Sequence, residues 1–365
     1  MGKMNKELLH SKLNDWYEMN HRILPWRETT DPYKIWISEI ILQQTRVAQG
    51  MEYYHRLITR FPDIQSLADA QEDEVLLYWQ GLGYYSRARN LHKAAQLMKN
   101  HEIFHQAMRL LGDKARGEKD GDEAIRREAK DEDIFAALRS MPGVGDYTAG
   151  AIASFAFNLP YPALDGNVYR VLSRLFDCEI AFDTTQGKKH FRQLAEDLLD
   201  REHPRLFNSA IMELGALHCV PTAPDCHTCP INTWCKALAN NTVELLPVRN
   251  PRPKVRDRYL EYTIYITPEK TTLIHQRKGN DIWKHLWEFV CAERTGEEAI
   301  RRKAKGEKIL ELTHVLSHQK LHARFVIKNV SELPRIPDTL VVKLSDLDNY
   351  AFSRLTLKAI EKLLY

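Results

Sequence analysis

The sequence lacks long apolar runs and carries little net charge. Its 365 residues include 52 lysines and arginines against 49 aspartates and glutamates, a formal net charge of only +3. So small an excess supports a nucleic-acid partner only weakly, and such a partner must be argued from motifs. No stretch approaches the about 20 apolar residues of a membrane helix, and no signal-peptide pattern follows Met1. We therefore expect a cytoplasmic protein without membrane contact.

Cysteine is also scarce, with six residues in the chain. A reducing cytoplasm disfavours disulfides. Four of the six nevertheless fall within residues 219–235, with the spacing C-x6-C-x2-C-x5-C. Such a group in a cytosolic chain predicts a metal site, and the spacing alone leaves Zn²⁺ and an iron–sulfur cluster open. The predicted ligands are Cys219, Cys226, Cys229 and Cys235.

Glycine and proline number only 16 each, so places where they coincide are informative. Residues 141–150 read MPGVGDYTAG. Pro142 ends the preceding helix, Gly143 and Gly145 allow a tight turn, and a new helix is predicted to start near Asp146. Backbone N–H groups at such a helix start can hold an anion. The run therefore predicts a phosphate-gripping hairpin between two helices, with a plain helix-to-helix turn as the alternative.

Two carboxylates stand out against their surroundings. Glu39 lies among apolar residues of a helix predicted over 33–50, where an ionised carboxylate is costly unless its charge is paired or its pKa is raised. The alternative is a position at the edge of the apolar stripe, reaching solvent. Asp165 precedes a helix running to Phe176, and capping that helix is a sufficient structural reason for it. The helix dipole and N–H donors there favour its ionised form.

The chain order predicts an all-helical part followed by an α+β part. A first helix is predicted over 4–20, and residues 80–90 (QGLGYYSRARN) form a glycine-rich turn whose tyrosines either pack on the core or enter a base stack. The charged residues 112–133 are interpreted as a solvated insertion. Strand-like runs at 259–266, 271–275 and 322–327 precede a final helix over 353–364. The predicted domains are 1–239, a linker over 240–258 and 259–365.

These motifs together resemble the adenine DNA glycosylases of the helix-hairpin-helix glycosylase superfamily. The matching segments are SEIILQQT at 38–45, GLGYY at 81–85, the hairpin, LDGNV at 164–168 and the cysteine run. The resemblance implies an all-α helix-hairpin-helix glycosylase domain with an iron–sulfur cluster loop, plus a C-terminal α+β Nudix-like domain. It also decides the cofactor in favour of a [4Fe–4S] cluster.

The resemblance implies a role for each site residue. Glu39 would be the general acid, Asp165 the carboxylate that stabilises the sugar cation, and Tyr147 its support at the position where strand-cleaving relatives carry lysine. The base pocket would include Arg22 and Trp26. The implied DNA contacts are Gln44, Leu82, Tyr84, Arg87, Pro142, Gly143, Val144, Gly145, Ser317 and His318.

The C-terminal part is similar to a Nudix fold at residues 283–289 (WKHLWEF). The glutamate-rich metal-binding signature of that fold is absent from 299–305, so the domain is interpreted as a recognition domain without hydrolase activity. Residues 314–318 (HVLSH) are similar to the loop by which the family reads 8-oxoguanine, with Leu316 where phenylalanine is expected. A loop at the end of a strand is the alternative.

The implied activity is a monofunctional adenine DNA glycosylase of base excision repair. Its substrate would be duplex DNA with adenine opposite 8-oxoguanine or guanine, and the protein is expected to be a monomer associated with a bacterial nucleoid. A thymine or uracil mismatch glycosylase on the same scaffold is one alternative. A DNA-bound iron–sulfur sensor with purely structural carboxylates is the other, and Glu39→Gln would separate enzyme from sensor.

Overall fold

The computed structural model describes residues 4–99, 131–251, 255–296 and 308–364. Most of the predicted insertion at 112–133, and the segment 299–305, lie outside these residues. The chain forms two compact units. The first unit comprises Met1–Arg46, Asp63–Gln65 and Lys93–Pro251, and the second comprises Val47–Pro62, Ser66–His92 and Arg252–Tyr365. The domain boundaries drawn from the sequence stay a prediction.

The helices of the first part of the chain follow one another with short connections. They are α1 (Lys6–Asn20), α2 (Pro32–Leu42), α3 (Val47–Arg60), α4 (Ile64–Asp69), α5 (Glu72–Tyr78), α6 (Ser86–Met98), α7 (Asp131–Ser140), α8 (Asp146–Phe157), α9 (Gly166–Phe176), α10 (Thr185–Leu198), α11 (Pro204–Leu217) and α12 (Lys236–Asn240). Short 3₁₀ turns occur at Asn232–Trp234 and Val243–Leu245. No helix in the described ranges is both long and apolar enough to cross a bilayer.

One predicted helix is divided in two. The sequence predicted a single helix over 33–50, but α2 ends at Leu42 and α3 begins at Val47. Gln44 between them has a left-handed backbone with φ of 59°. A continuous helix cannot pass through that conformation, and neither glycine nor proline marks the break in the sequence.

The core of the first unit forms where α1, α9, α10 and α11 meet. Leu9, Leu13 and Trp16 of α1 are buried there, whereas Leu8 is 47% exposed. A Cβ added at Gly215 of α11 would lie 2.7 Å from the Asn167 side chain. The close approach fixes α11 against the start of α9, next to Asp165.

The second unit contains a six-stranded sheet of order β4-β5-β1-β3-β2-β6. The strands are β1 (Arg256–Ile266), β2 (Thr271–Gln276), β3 (Trp287–Arg294), β4 (Lys308–Val315), β5 (Gln319–Asn329) and β6 (Thr339–Lys343), followed by a 3₁₀ turn at Leu344–Asn349 and helix α13 (Arg354–Leu364). β1 runs parallel to β5 and antiparallel to β3. Leu355, Ala359 and Ile360 of α13 join the apolar cluster of the sheet.

The α+β class and the three predicted strands are confirmed, and the final helix differs from its predicted start by one residue. β3, β4 and β6 were not predicted. β4 has partly buried and exposed residues but no fully buried one, and β6 has a single buried residue, Val342. Edge strands of this kind give little of the period-two signal on which sequence prediction depends.

Candidate active site

Glu39 lies inside the protein. Its helix, α2, is capped by Asp31, whose side chain accepts a hydrogen bond from the N–H of Tyr33 at 2.9 Å. Pro32 occupies the first turn. Nearly every residue of α2 is apolar and buried, and Glu39 is only 1% exposed. The position at the solvent edge, considered from the sequence, is therefore wrong.

The two oxygens of Glu39 have different surroundings. Oε2 accepts a hydrogen bond of 2.6 Å from the Tyr147 hydroxyl. Oε1 is buried and accepts no hydrogen bond from the residues that the structure describes. The nearest cation is Arg27, whose Nη1 lies 3.7 Å from Oε1 and whose guanidinium stacks on the Phe155 ring at 3.8 Å. One oxygen is thus held in place, while the other keeps its hydrogen-bonding capacity.

Burial controls the titration of this pair. It raises the pKa of Glu39 above its ordinary value, against the opposing effects of the Arg27 charge and the Tyr147 hydrogen bond. The pKa of Tyr147 is raised well above its ordinary value by burial and by the charges of Glu39 and Asp165. Tyr147 therefore stays a hydrogen-bond donor at neutral pH. The protonated form of Glu39, which an acid catalyst needs, is favoured.

Asp165 caps helix α9, as predicted. Its Oδ1 accepts hydrogen bonds from the backbone N–H groups of Asn167 and Val168 at 2.9 and 2.8 Å. Its Oδ2 accepts one from the Asn167 amide at 2.7 Å. Burial raises the pKa of Asp165, and these donors oppose the rise. Beside burial, the charge of Asp165 contributes to the raised pKa of both Glu39 and Tyr147.

Arg170 connects this cap to the cysteine segment. Its Nη2 donates to the Asn167 side-chain oxygen at 2.9 Å, and its Nε donates to the backbone carbonyl of Cys219 at 2.7 Å. Asn167 in turn holds Asp165. A chain of three hydrogen bonds therefore runs from the first cysteine to the carboxylate.

The four predicted ligand cysteines line one cavity, together with Arg174. Arg174 Nη1 lies 3.3 Å from the sulfur of Cys219. Burial, with the neighbouring thiols, raises the pKa of Cys229 to about 12. In the described part of the chain no three Cys, His, Asp or Glu side chains have the geometry of a metal site. The thiols thus converge on a common space but not on one point.

The predicted base-pocket residues are both anchored. Arg22 forms a two-pronged ion pair with Glu213, at 2.6 Å from Nε and 2.8 Å from Nη2, and Trp26 is buried. Burial opposes the charge of Glu213, but the hydrogen bonds from Arg22 outweigh burial and lower its pKa. Sequence reasoning missed Glu213 and Arg27. Arg27 adjoins Trp26 in the sequence, but Glu213 is 191 residues from Arg22 and carries no local signal.

The hairpin has the predicted form. Gly143 has φ of +80°, the Val144 N–H bonds the Met141 carbonyl at 3.1 Å, and α8 begins at Asp146. Pro142 is half-buried, Val144 is buried, and Gly143 and Gly145 are exposed. No side chain caps the start of α8 at Gly145. Its first N–H groups are therefore available to an anion.

The other predicted DNA-contact residues differ in exposure. Gln44 is exposed, and Tyr84 is 48% exposed with a left-handed φ of 49°. Leu82 and Arg87 are buried, and Arg87 Nη2 donates to the Gly83 carbonyl at 3.2 Å. Arg87 thus braces the turn that presents Tyr84, and a contact of Leu82 or Arg87 with DNA stays a prediction.

The loop between β4 and β5 presents Ser317 and His318 to solvent. Leu316 instead packs against the sheet core, and its N–H bonds the Gln319 carbonyl at 2.7 Å. The Tyr84 hydroxyl lies 2.5 Å from Ser317 Oγ within the second unit. The structure therefore brings together two segments that the sequence singled out separately.

The comparisons with known proteins identify the family of the chain. Residues 37–200 match the family model of the HhH-GPD superfamily base excision DNA repair proteins, and residues 261–362 match that of the NUDIX domain. An adenine DNA glycosylase of Buchnera aphidicola subsp. Baizongia pistaciae is 34% identical over 85% of this chain and 82% of the relative. The one from Schizosaccharomyces pombe is 35% identical over 80% of this chain and 70% of the relative.

A solved thermostable thymine-DNA glycosylase has the same fold in the helical part. Its TM-score is 0.51 at 23% identity, over 64% of this chain and 97% of that one. At that identity the likeness concerns the fold alone. The sequence relatives, which are more than 30% identical over most of both chains, decide the family. The chain belongs to the adenine DNA glycosylases, with an HhH-GPD base excision repair domain followed by a Nudix domain.

Proposed function

We propose that the protein removes adenine mispaired with 8-oxoguanine, or with guanine, from duplex DNA, and that it releases the base without cutting the strand. The observation that carries the proposal is the group formed by buried Glu39 with half-buried Tyr147 and Asp165. A paired acid and carboxylate is the arrangement that hydrolysis of a glycosidic bond requires. Adenine as the excised base follows from the named relatives.

Glu39 acts as the general acid. The glycosidic bond is hidden in a duplex, so the adenine nucleotide first has to be extruded into the site. Protonated Glu39 then gives its proton to adenine N7, and the electron pair of the breaking bond leaves with the base. Oε1 is the oxygen suited to this transfer, because Tyr147 already occupies Oε2. General acid catalysis of this kind contributes about 10²–10⁴ in rate.

Asp165 stabilises the positive charge that develops on the sugar. Its carboxylate is fixed by three donors and faces the cation as the bond breaks, either as a fixed charge or as a transient covalent partner. Water adds to the sugar carbon and loses a proton, which leaves an abasic site. Arg170 and Asn167 hold Asp165 in position for both roles.

Tyr147 makes the enzyme monofunctional. Cutting the strand through a Schiff base requires an amine at this point, and a phenol supplies none. The raised pKa of Tyr147 keeps the hydroxyl protonated and bound to Glu39. The expected product is therefore an intact strand with an abasic site.

The duplex would be held at the hairpin 142–145, whose N–H groups grip a phosphate beside the extruded nucleotide. Tyr84 and Gln44, both exposed with left-handed backbones, enter the base stack as wedges. Ser317 and His318 read the base opposite adenine. We propose that the protein acts on double-stranded DNA as a monomer in the cytoplasm.

The four cysteines would hold a [4Fe–4S] cluster. The donor set fits, because four thiols converge on one cavity beside Arg174, and bound iron would lower the raised pKa of Cys229. The spacing of the thiols leaves Zn²⁺ open, and the resemblance of the cysteine run to that of the adenine DNA glycosylases favours the cluster. The cluster would supply structural support to the loop that begins at Cys219. Arg170 of α9 links this loop to the active site, because it donates a hydrogen bond to the Cys219 carbonyl.

Single-turnover base release tests the proposal. Duplexes with adenine opposite 8-oxoguanine, adenine opposite guanine and thymine opposite guanine are incubated with the protein and analysed with and without alkali. Release of adenine that appears as strand breaks only after alkali is the expected result. Release of thymine alone, or breaks without alkali, would contradict the substrate or the role of Tyr147.

A further inference from the structure

A cavity of about 540 Å³ lies in the second unit, between the turn that carries Tyr84 and the loop that carries Ser317. Its wall includes His314 and Leu316 from one side and Asp281, Ile282 and Trp283 from a third segment. That third segment, the connection 277–286 between β2 and β3, has no role in the proposed function. One wall of the cavity therefore consists of residues to which the proposed function assigns no role.

Trp283 is the aromatic residue of this wall. Its indole is partly buried against the sheet core and meets the His314 ring edge-on, with ring centroids 5.8 Å apart. Its backbone is left-handed, with φ of 58°. A bulky residue rarely adopts that conformation, which is retained only where the surroundings enforce it and occurs most often at functional sites.

Arg258 of β1 holds the connection that carries Trp283. Its guanidinium is 8% exposed and bonds both oxygens of Asp281 at 2.8 Å. The same guanidinium bonds Gln319, the first residue after the Ser317 loop, at 3.0 Å. One buried cation thus ties the Trp283 connection and the Ser317 loop together. Arg89 Nη1 fixes the connection from another side through the Lys284 carbonyl, at 2.8 Å.

The Ser317 loop itself contains no phenylalanine, tyrosine or tryptophan. Leu316 stands at its centre and packs towards the core. Trp283 lines the cavity together with Tyr84, Tyr85 and the imidazoles of His314 and His318, and its indole is the largest of these ring systems. Purine bases are held in proteins by stacking on aromatic rings.

We infer that Trp283 is a specificity-determining residue, which supplies to the 8-oxopurine site the aromatic surface that Leu316 does not. The inference rests on the proposed function, because it assumes that Ser317 and His318 read the base opposite adenine. Arg258 is its positioning residue, since it sets Trp283 and the loop in register. Trp283 holds the loop and the purine in the geometry that distinguishes 8-oxoguanine from guanine.

The test compares the single-turnover rates on adenine opposite 8-oxoguanine and on adenine opposite guanine. Trp283→Leu should lower the ratio of the two rates about tenfold, as expected when one stacking contact is lost. Trp283→Phe should keep most of the ratio, because the aromatic face remains. Leu316→Phe added to Trp283→Leu should restore part of it.

Trp287→Leu is the matched control. Trp287 is also a partly buried tryptophan of the same sheet, but it packs on Tyr350 and does not line the cavity. Its replacement should leave the ratio unchanged, although it costs stability.

The outcomes separate the two proposals. A parent protein with equal rates on both duplexes overturns 8-oxoguanine recognition, and with it the role of Trp283. A parent preference that Trp283→Leu retains overturns the role of Trp283 alone. A loss in Trp283→Leu that Trp287→Leu matches, and that Leu316→Phe does not restore, also overturns it, since stability would then explain the loss.

Discussion

At the scale of single residues, Glu39 is the group whose titration should govern the reaction. Burial raises its pKa, so it stays protonated to a higher pH than an exposed glutamate. Base release should therefore fall as pH rises through that pKa, and fall on the acid side as Asp165 takes up a proton. Single-turnover rates against pH should give a bell-shaped curve. A rate that is flat on the alkaline side would contradict the role of Glu39.

Glu39→Gln should bind the duplex and release about 10²–10⁴ times less base, without the alkaline limb. The glutamine can still accept the Tyr147 hydrogen bond, so the site should remain folded. Duplex binding measured in parallel is the control. Binding lost together with activity would assign Glu39 a structural role.

The same substitution should stabilise the protein at alkaline pH. A carboxyl whose folded pKa is raised contributes stability below its unfolded pKa and loses it as pH rises through the folded pKa. Glu39→Gln removes that loss, so its melting temperature at pH 8 should exceed the parent's. The difference should shrink towards pH 4, where the carboxyl is protonated in both states.

Glu213→Gln should have the opposite effect on stability at alkaline pH. The pKa of Glu213 is lowered overall, because hydrogen bonds from Arg22 outweigh burial. Its stabilisation is present above the unfolded pKa and is lost as pH falls through the folded one. Glu213→Gln should therefore melt below the parent at pH 8 and approach it in acid. Equal shifts in the two variants would show that the pKa values are not the cause.

The sequence predicted the reacting residues better than their supports. Glu39 and Asp165 lie in short local motifs that a resemblance can match. Glu213 becomes part of the site only because α11 brings it to Arg22, 191 residues away. Arg27 likewise becomes part of the site only because the fold brings its guanidinium to Glu39 and to the Phe155 ring. Supports of this kind depend on tertiary packing, which a single sequence does not display.

At the scale of elements, the hairpin between α7 and α8 offers two glycines with separate roles. Gly143 has φ of +80°, so an alanine there is strained by about 1–2 kcal/mol. A Cβ at Gly145 meets no atom within 4 Å, so alanine there fits the folded protein. Gly145 nevertheless opens the helix start at which a phosphate would bind.

Gly145→Ala should therefore keep the parent's melting temperature but bind duplex DNA about tenfold more weakly, since a methyl group would keep the phosphate from the N–H groups. Gly143→Ala should lower the melting temperature by several degrees. Thermal unfolding and duplex titration of both variants distinguish the two effects. Full binding by Gly145→Ala would favour the plain helix-to-helix turn.

Helix ends were predicted well wherever a capping residue or proline marks them. The cap at Asp165 and the start of α8 at Asp146 agree with the structure, and α2, capped by Asp31, begins at Pro32, one residue before its predicted start. The break at Gln44 was missed, because glutamine gives no warning of a left-handed backbone. That break matters for the proposed function. The buried helix α2 ends there, and the Gln44 side chain is exposed at the proposed DNA surface.

At the scale of the whole molecule, the compact units do not follow chain order. Residues 66–92 belong to the same unit as the sheet, although the sequence and the matched family region place them in the helical part. The Tyr85 hydroxyl donates to the Phe352 carbonyl at 3.2 Å, and the Phe352 N–H donates to Gln80 Oε1 at 2.8 Å. Arg89 Nη1 donates to the Lys284 carbonyl at 2.8 Å, also within this unit.

A chain ended after residue 250 should therefore lose more than discrimination between 8-oxoguanine and guanine. The turn 80–86 would lose its partners, and Tyr85, now buried, would meet solvent. Amide hydrogen exchange of residues 80–92 should rise at least tenfold in the shortened chain, while α8 and α9 keep their protection because their partners lie in the first unit. Unchanged exchange at 80–92 would instead favour the independent helical domain that the sequence predicted over 1–239. The wedge Tyr84 would then be held by helices alone, and its contact with Ser317 would have no part in its position.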